Sequence, residues 1–296
     1  MSSILSNIFI SPNESRFRAG WRLLIQTVIF LALTLCFGIL TVIPYINRYG
    51  TNTSGVAFLV WGEVMQAVPL TLSIFISRRF IDRRSIGSLG LILERLAIKD
   101  MAIGIIITLG MMGLIYGVMS LLGWIRFLGF VWEIDAPITV IRNFALMFFI
   151  FIMVAWSVEL LSRGYHLQTI TSGLGIFWGV ILSSAIFGLM HLMNPNATLI
   201  SAVGIFLAGL IFALGYLRTG QLWLPIGMHF GWNLFEGSVF GFPVSGLEVY
   251  KLIQIQITGP EIWTGGKFGP EAGLVIVPVL AIGAITILLF TRNRKV

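Results

Sequence analysis

A chain of 296 residues that is 57% hydrophobic and only 10% charged, with a mean hydropathy of +0.96, is no water-soluble domain, in which roughly a quarter of residues carry charge. Its net charge of +7 does not point to nucleic acid, because the basic residues fall in short segments between apolar runs. There they act as topology signals and lipid-headgroup contacts.

The N-terminal stretch MSSILSNIFISPNESRFRAGWR lacks the basic region and short apolar core of a cleaved leader. The first span is therefore expected to remain in the mature protein. Crossing about 30 Å of hydrocarbon takes roughly 20 apolar residues. Runs of that kind lie near 21–46, 55–76, 101–124, 140–161, 175–193, 197–217, 221–240 and 272–291. The expected fold is an all-α, polytopic transmembrane helix bundle of about eight spans, forming one integral membrane domain over 1–296. The fifth and seventh runs are interrupted by histidine, proline or asparagine. The lone Cys36 lies in the first run and has no second cysteine to pair with.

With the N-terminus in the cytoplasm and eight spans, fourteen of the basic residues fall on the cytoplasmic side and five on the other. That asymmetry places both termini inside and suits a bacterial plasma membrane. Gly113 and Gly117 make a GxxxG spacing in the third run, read as a helix-packing surface. The segment 241–271 is rich in Gly and Pro and is expected to be an extramembrane loop with short amphipathic pieces, a candidate lid.

Polar groups are costly in a bilayer and usually face a bundle interior or a wet cavity. Here they concentrate between residues 158 and 233, which hold all three histidines, His166, His191 and His229, with Glu159, Arg163 and Asn233. Outside that stretch, Glu63 stands in the second run. Glu159 and Arg163 are four apart, as are Phe187 and His191, and His229 and Asn233. Residues at that spacing share a helix face, so three helices can each turn a polar stripe toward a common chamber. Gly227 and Gly231 flank His229 and would let a neighbouring backbone or a substrate come close.

Each residue also has a plainer reading. Glu159 and Arg163 fit an intrahelical ion pair with the acid on the favoured N-terminal side. A membrane histidine can be an interhelical hydrogen bonder. His166, beyond the fourth run and beside Tyr165, reads as an interfacial residue. Asn52 and Asn196 begin N-x-[ST] patterns, which matter only in a secretory context. Functionally, a carboxylate near a histidine can activate water, and a second histidine with an asparagine amide can donate to an oxyanion. Those parts suit amide hydrolysis without a covalent intermediate. Two histidines and a glutamate could also hold zinc, though the spacing matches no compact zinc motif.

ELLSRGYHLQ, FGLMH and HFGWN resemble, in order, the EExxxR, FxxxH and HxxxN motifs of the CPBP intramembrane proteases. That family joins type II CAAX prenyl endopeptidases with bacteriocin-processing and Abi-type bacterial proteins. The likeness covers residues 140–240. It implies an eight-helix fold with an active site opening within the membrane, and a membrane-associated or lipidated peptide as substrate. By that likeness His191 helps activate water, His229 and Asn233 form the oxyanion site, and Arg163 holds the first motif in shape.

The chain departs from the family at Val158, which stands where the first motif's leading glutamate, the usual general base, is expected. Adjacent helical side chains diverge by about 100°, so Glu159 does not point along the missing direction. Glu159 could serve after a local shift, Glu236 could supply a carboxylate from the facing helix, or the protein could bind without cleaving. Restoring Glu at 158 is expected to raise turnover if the family's base is what is missing. Besides an endopeptidase, the pattern admits a non-catalytic scaffold or immunity-type relative. A proton-coupled transporter is disfavoured by the lack of repeated halves.

Overall fold

The computed structural model describes residues 8–11, 16–50 and 56–294. Helices dominate, and among the described residues six are long and apolar enough to cross a membrane. The chain is an integral membrane protein. The six cover Ala19–Tyr49, Phe58–Ile81, Arg95–Leu121, Pro137–Leu174, Ile176–Met193 and Leu199–Thr219. The last two expected spans are shorter helices, at Trp223–Asn233 and Ile276–Thr291. The chain folds as two compact units, one from 1–92 and 156–183, the other from 93–155 and 184–296.

In the first unit, α1 (Ala19–Tyr49) carries its apolar residues outward and its polar ones inward. Its buried residues are Arg22 and Gln26, while Leu24, Leu31, Leu35 and Ile43 are exposed. Such inversion is expected where the surrounding solvent is hydrocarbon. α2 (Val56–Ile76) continues into a wider turn at Ser77–Ile81. Gln26 donates to Ser73 at 2.9 Å. Asp82 receives Arg22 at 3.1 Å and Arg78 at 3.2 Å, and Arg78 also donates to Gln168. Buried cations here are thus tied to a carboxylate and amide rather than left bare.

The second unit contains α3 (Arg95–Leu121), β1 (Ile125–Phe130) and the start of α4 (Pro137–Glu159). α4 runs on through a wide-wound stretch, Leu160–Leu167, into α5 (Gln168–Leu174). The fourth span therefore does not stop near 161. The wider winding carries the helix past Gly164, and His166 sits half-buried within it rather than beyond its end. α6 (Ile176–Met190) leads to α7 (Leu199–Thr219), α8 (Trp223–Asn233), β2 (Ile253–Ile257), the one-turn α9 (Glu261–Thr264) and α10 (Ile276–Thr291). β1 and β2 pair antiparallel from Ile125 opposite Ile257 to Phe130 opposite Ile253, with a bulge between Phe127 and Gly129. The 241–271 segment is thus partly strand, which its Gly and Pro content concealed.

α3 packs along α8 through glycines. A Cβ on Gly104 would lie 2.7 Å from the Met228 nitrogen, and one on Gly227 would overlap the Met101 carbonyl oxygen. A Cβ on Gly231 would approach the Ile105 Cα to 3.0 Å. Gly113 and Gly117 play no such part: a Cβ at the first would only touch the Phe240 ring at 3.9 Å, and at the second would meet nothing. The close approach falls at Gly104 because that turn of α3 faces α8. Near the C-terminus, Arg294 pairs bidentately with the buried Asp100.

Candidate active site

The first motif lies in the first unit. Glu159 ends the regular part of α4, and the wider winding that follows carries Arg163. Arg163 Nη1 donates to Glu159 Oε1 at 2.9 Å, and both side chains are buried. The ion-pair reading of this spacing is what the structure displays. Val158 is half-buried.

The second and third motifs lie in the second unit. His191 stands at the end of α6, in the tight turn His191–Met193. Its Nδ1 is 2.7 Å from the carbonyl oxygen of Phe187, one turn back. A carbonyl only accepts, so Nδ1 carries the proton and the basic lone pair belongs to Nε2. The Phe187 ring lies edge-on to both imidazoles, with centroids 4.7 Å from His191 and 6.0 Å from His229. Phe212 of α7 stacks on His229 at 5.4 Å. The two histidines are thus gathered around one aromatic side chain, the leading residue of FGLMH.

His229 and Asn233 are both buried and lie one turn apart on α8. Glu236 follows in the wider turn Leu234–Val239 and is fully buried. Wide turns of this kind are frequent at functional positions. Among the described residues, neither Glu236 carboxylate oxygen has a hydrogen-bond partner.

A second carboxylate, which the sequence reading did not single out, stands beside this helix. Glu271, in the short turn Pro270–Ala272, is buried. It receives the Trp232 indole N–H at 3.1 Å and the Ser245 hydroxyl at 2.7 Å. Burial pushes its carboxyl up to about 7, against the lowering effect of the Ser245 and Trp232 donors. The sequence signal was faint: one acid in KFGPEAG, at the entrance to the last apolar run.

Chemically, the second unit offers an imidazole at 191 oriented by its Nδ1 hydrogen bond, a buried imidazole and amide at 229 and 233, and two buried carboxylates. The zinc reading finds no support in side-chain placement. Among the described residues, no three His, Cys, Asp or Glu side chains gather as a ligand set.

Residues 140–235 match the family model for Rce1-like proteins, the type II CAAX prenyl endopeptidase Rce1-like family. The matched stretch contains Glu159, Arg163, Phe187, His191, His229 and Asn233, and it ends one residue before Glu236. No curated protein and no solved structure matches the chain.

Proposed function

We propose, from the premise that this integral membrane chain carries a segment of the Rce1-like CAAX protease family over residues 140–235, that it is an intramembrane endopeptidase. Its substrates are membrane-associated or lipidated peptides, and both termini face the cytoplasm. The observation that carries the reading is the fixed His191 imidazole, gathered with His229 around Phe187.

Nε2 of His191 takes a proton from a water whose oxygen attacks the scissile carbonyl carbon. The oxyanion that forms is met by N–H donors from His229 and Asn233, both buried, where such bonds gain strength. Collapse of the tetrahedral species breaks the C–N bond and releases the amine. The Glu159–Arg163 pair shapes its own helix, so Arg163 is a positioning residue.

The test is hydrolysis of a lipidated peptide by purified protein in liposomes. His191→Ala should lower turnover by about 10²–10⁴-fold, and His229→Ala should also be impaired. Wild-type rates in both variants would end the proposal.

A second reading is favoured by Val158 in the place of the family's usual base. In it the protein is an impaired relative that binds peptides without cutting them. Saturable binding with no products, even after prolonged incubation, would establish it over the first.

A further inference from the structure

Glu236 and Glu271 make a buried carboxylate pair that the water-activation scheme leaves unused. Their relative exposures are 0% and 4%. They meet at one turn: a Cβ on Gly269, two residues before Glu271, would lie 3.3 Å from Glu236 Oε1 and would overlap the Pro243 carbonyl oxygen. The donors are unequally shared. Glu271 receives Trp232 and Ser245 at hydrogen-bond distance, whereas no described residue meets either Glu236 oxygen in hydrogen-bond geometry, the Trp232 indole lying near it but directed to Glu271.

Charged and titratable groups on the neighbouring elements are engaged elsewhere. On α3, Asp100 pairs with Arg294, Lys99 lies over Phe290 and Tyr116 stacks on Phe240. On α7, Arg218 donates to Thr291. On α8, His229 stacks on Phe212. In the 241–271 segment, Lys251 pairs with Glu248, and both line a cavity of about 590 Å³ with Lys267 and Glu261.

Two adjacent buried carboxylates without a compensating cation do not both ionise. Hydrogen bonds donated to Glu271 favour its charged form, so of the two it is Glu271 that gives up its proton first as pH rises past about 7, and Glu236 that keeps its own. Asn233 stands one helical turn after His229, and Glu236 follows three residues later, in the wide-wound turn Leu234–Val239.

From this placement we infer that Glu236 is the proton donor to the leaving amine, and that Glu271 is the positioning residue that keeps the proton there. The inference rests on the proposed endopeptidase reading. As the C–N bond of the tetrahedral species breaks, the nitrogen takes the Glu236 proton and Glu236 is left as carboxylate. The proton that His191 removed from water balances that loss, and one proton returns to the pair before the next turnover. Pro243, whose carbonyl shares the Gly269 contact, also lines the cavity, which gives the pair a nearby wet face for reloading.

The experiment has an infrared arm and a kinetic arm. In detergent at pH 8.5, above the value of about 7 at which Glu271 ionises, the parent should show the carbonyl stretch of a protonated, weakly hydrogen-bonded carboxyl group, and Glu236→Gln should lose it. In Glu271→Gln the band should vanish at a lower pH than in the parent. A parent without the band, or a band that survives Glu236→Gln, overturns the assignment of the proton.

Glutamine has the shape of a protonated glutamate, so Glu236→Gln should melt close to the parent. A large drop would mean that the charged form is needed, and would also overturn the assignment. Kinetically, Glu236→Gln should lose about 10²–10⁴-fold in amide turnover with KM little changed. It should retain most activity on an aryl ester of the same acyl group, whose leaving group needs no proton. Equal losses on amide and ester, or none, overturn the donor role. A parent that cleaves neither substrate sinks the peptidase reading and the donor role with it, whereas the infrared band still decides where the proton sits.

Discussion

Replacing Arg163 by Ala removes one half of a buried ion pair. The Arg163 and Glu159 side chains are 1% and 0% exposed, and they are joined at 2.9 Å. An exposed pair at the same i, i+4 spacing would be worth only about 0.3–0.5 kcal/mol. A buried one behaves differently, because the surviving charge loses its ion-pair partner in low dielectric, and breaking such pairs costs about 3–5 kcal/mol. The larger figure is expected, since Glu159 has no exposed surface through which water could compensate. The double variant Glu159→Ala/Arg163→Ala should recover part of the loss, because the buried carboxylate is then removed together with the cation that compensates it. Thermal unfolding of the detergent-solubilised single and double variants reads both quantities as a cycle. A single-variant cost below about 1 kcal/mol, typical of exposed pairs, would refute the reasoning.

Asn233→Ala should lower amide turnover by about 10²–10³-fold with little change in KM, as expected for an oxyanion donor; steady-state kinetics on a lipidated peptide checks it. Gly227→Ala drives a methyl group into the Met101 carbonyl and should destabilise the protein by about 1–3 kcal/mol, seen as a lowered melting temperature. Glu271 supplies a pH test. Its carboxyl rises from its ordinary 4.5 to about 7 on folding, so between those values the folded state binds more protons than the unfolded one. Its contribution to stability is therefore greatest below pH 4.5, is lost as pH rises toward 7, and is flat above that. Melting temperature measured from pH 5 to pH 8 should fall, and Glu271→Gln should flatten the slope.

The candidate site residues could be picked out from spacing alone. His191, His229 and Asn233 stand out because polar residues at helical intervals are rare in apolar runs, and the Glu159–Arg163 pair followed from the same rule. What could not be read depends on partners distant in sequence. Glu271 matters through Trp232 and Ser245, 39 and 26 residues away, and no local pattern announces that. Gly104 rather than Gly113 makes the close approach, because the facing surface of α8 decides which glycine of α3 is used. The fourth helix continues through His166 because a change of winding needs no break in composition. The strand pair joins segments separated by more than a hundred residues, so β2 stayed hidden in a Gly- and Pro-rich stretch.

Residues two apart on a helix are about 200° apart, so Gly227 and Gly231, which α3 presses against, lie on the side of α8 opposite His229. Along that side, among the described residues, backbone lies on backbone at Gly227 and Gly231. A ligand reaching the imidazole from behind α8 would first have to part α3 from α8, so a blocking ligand is better aimed at the opposite side.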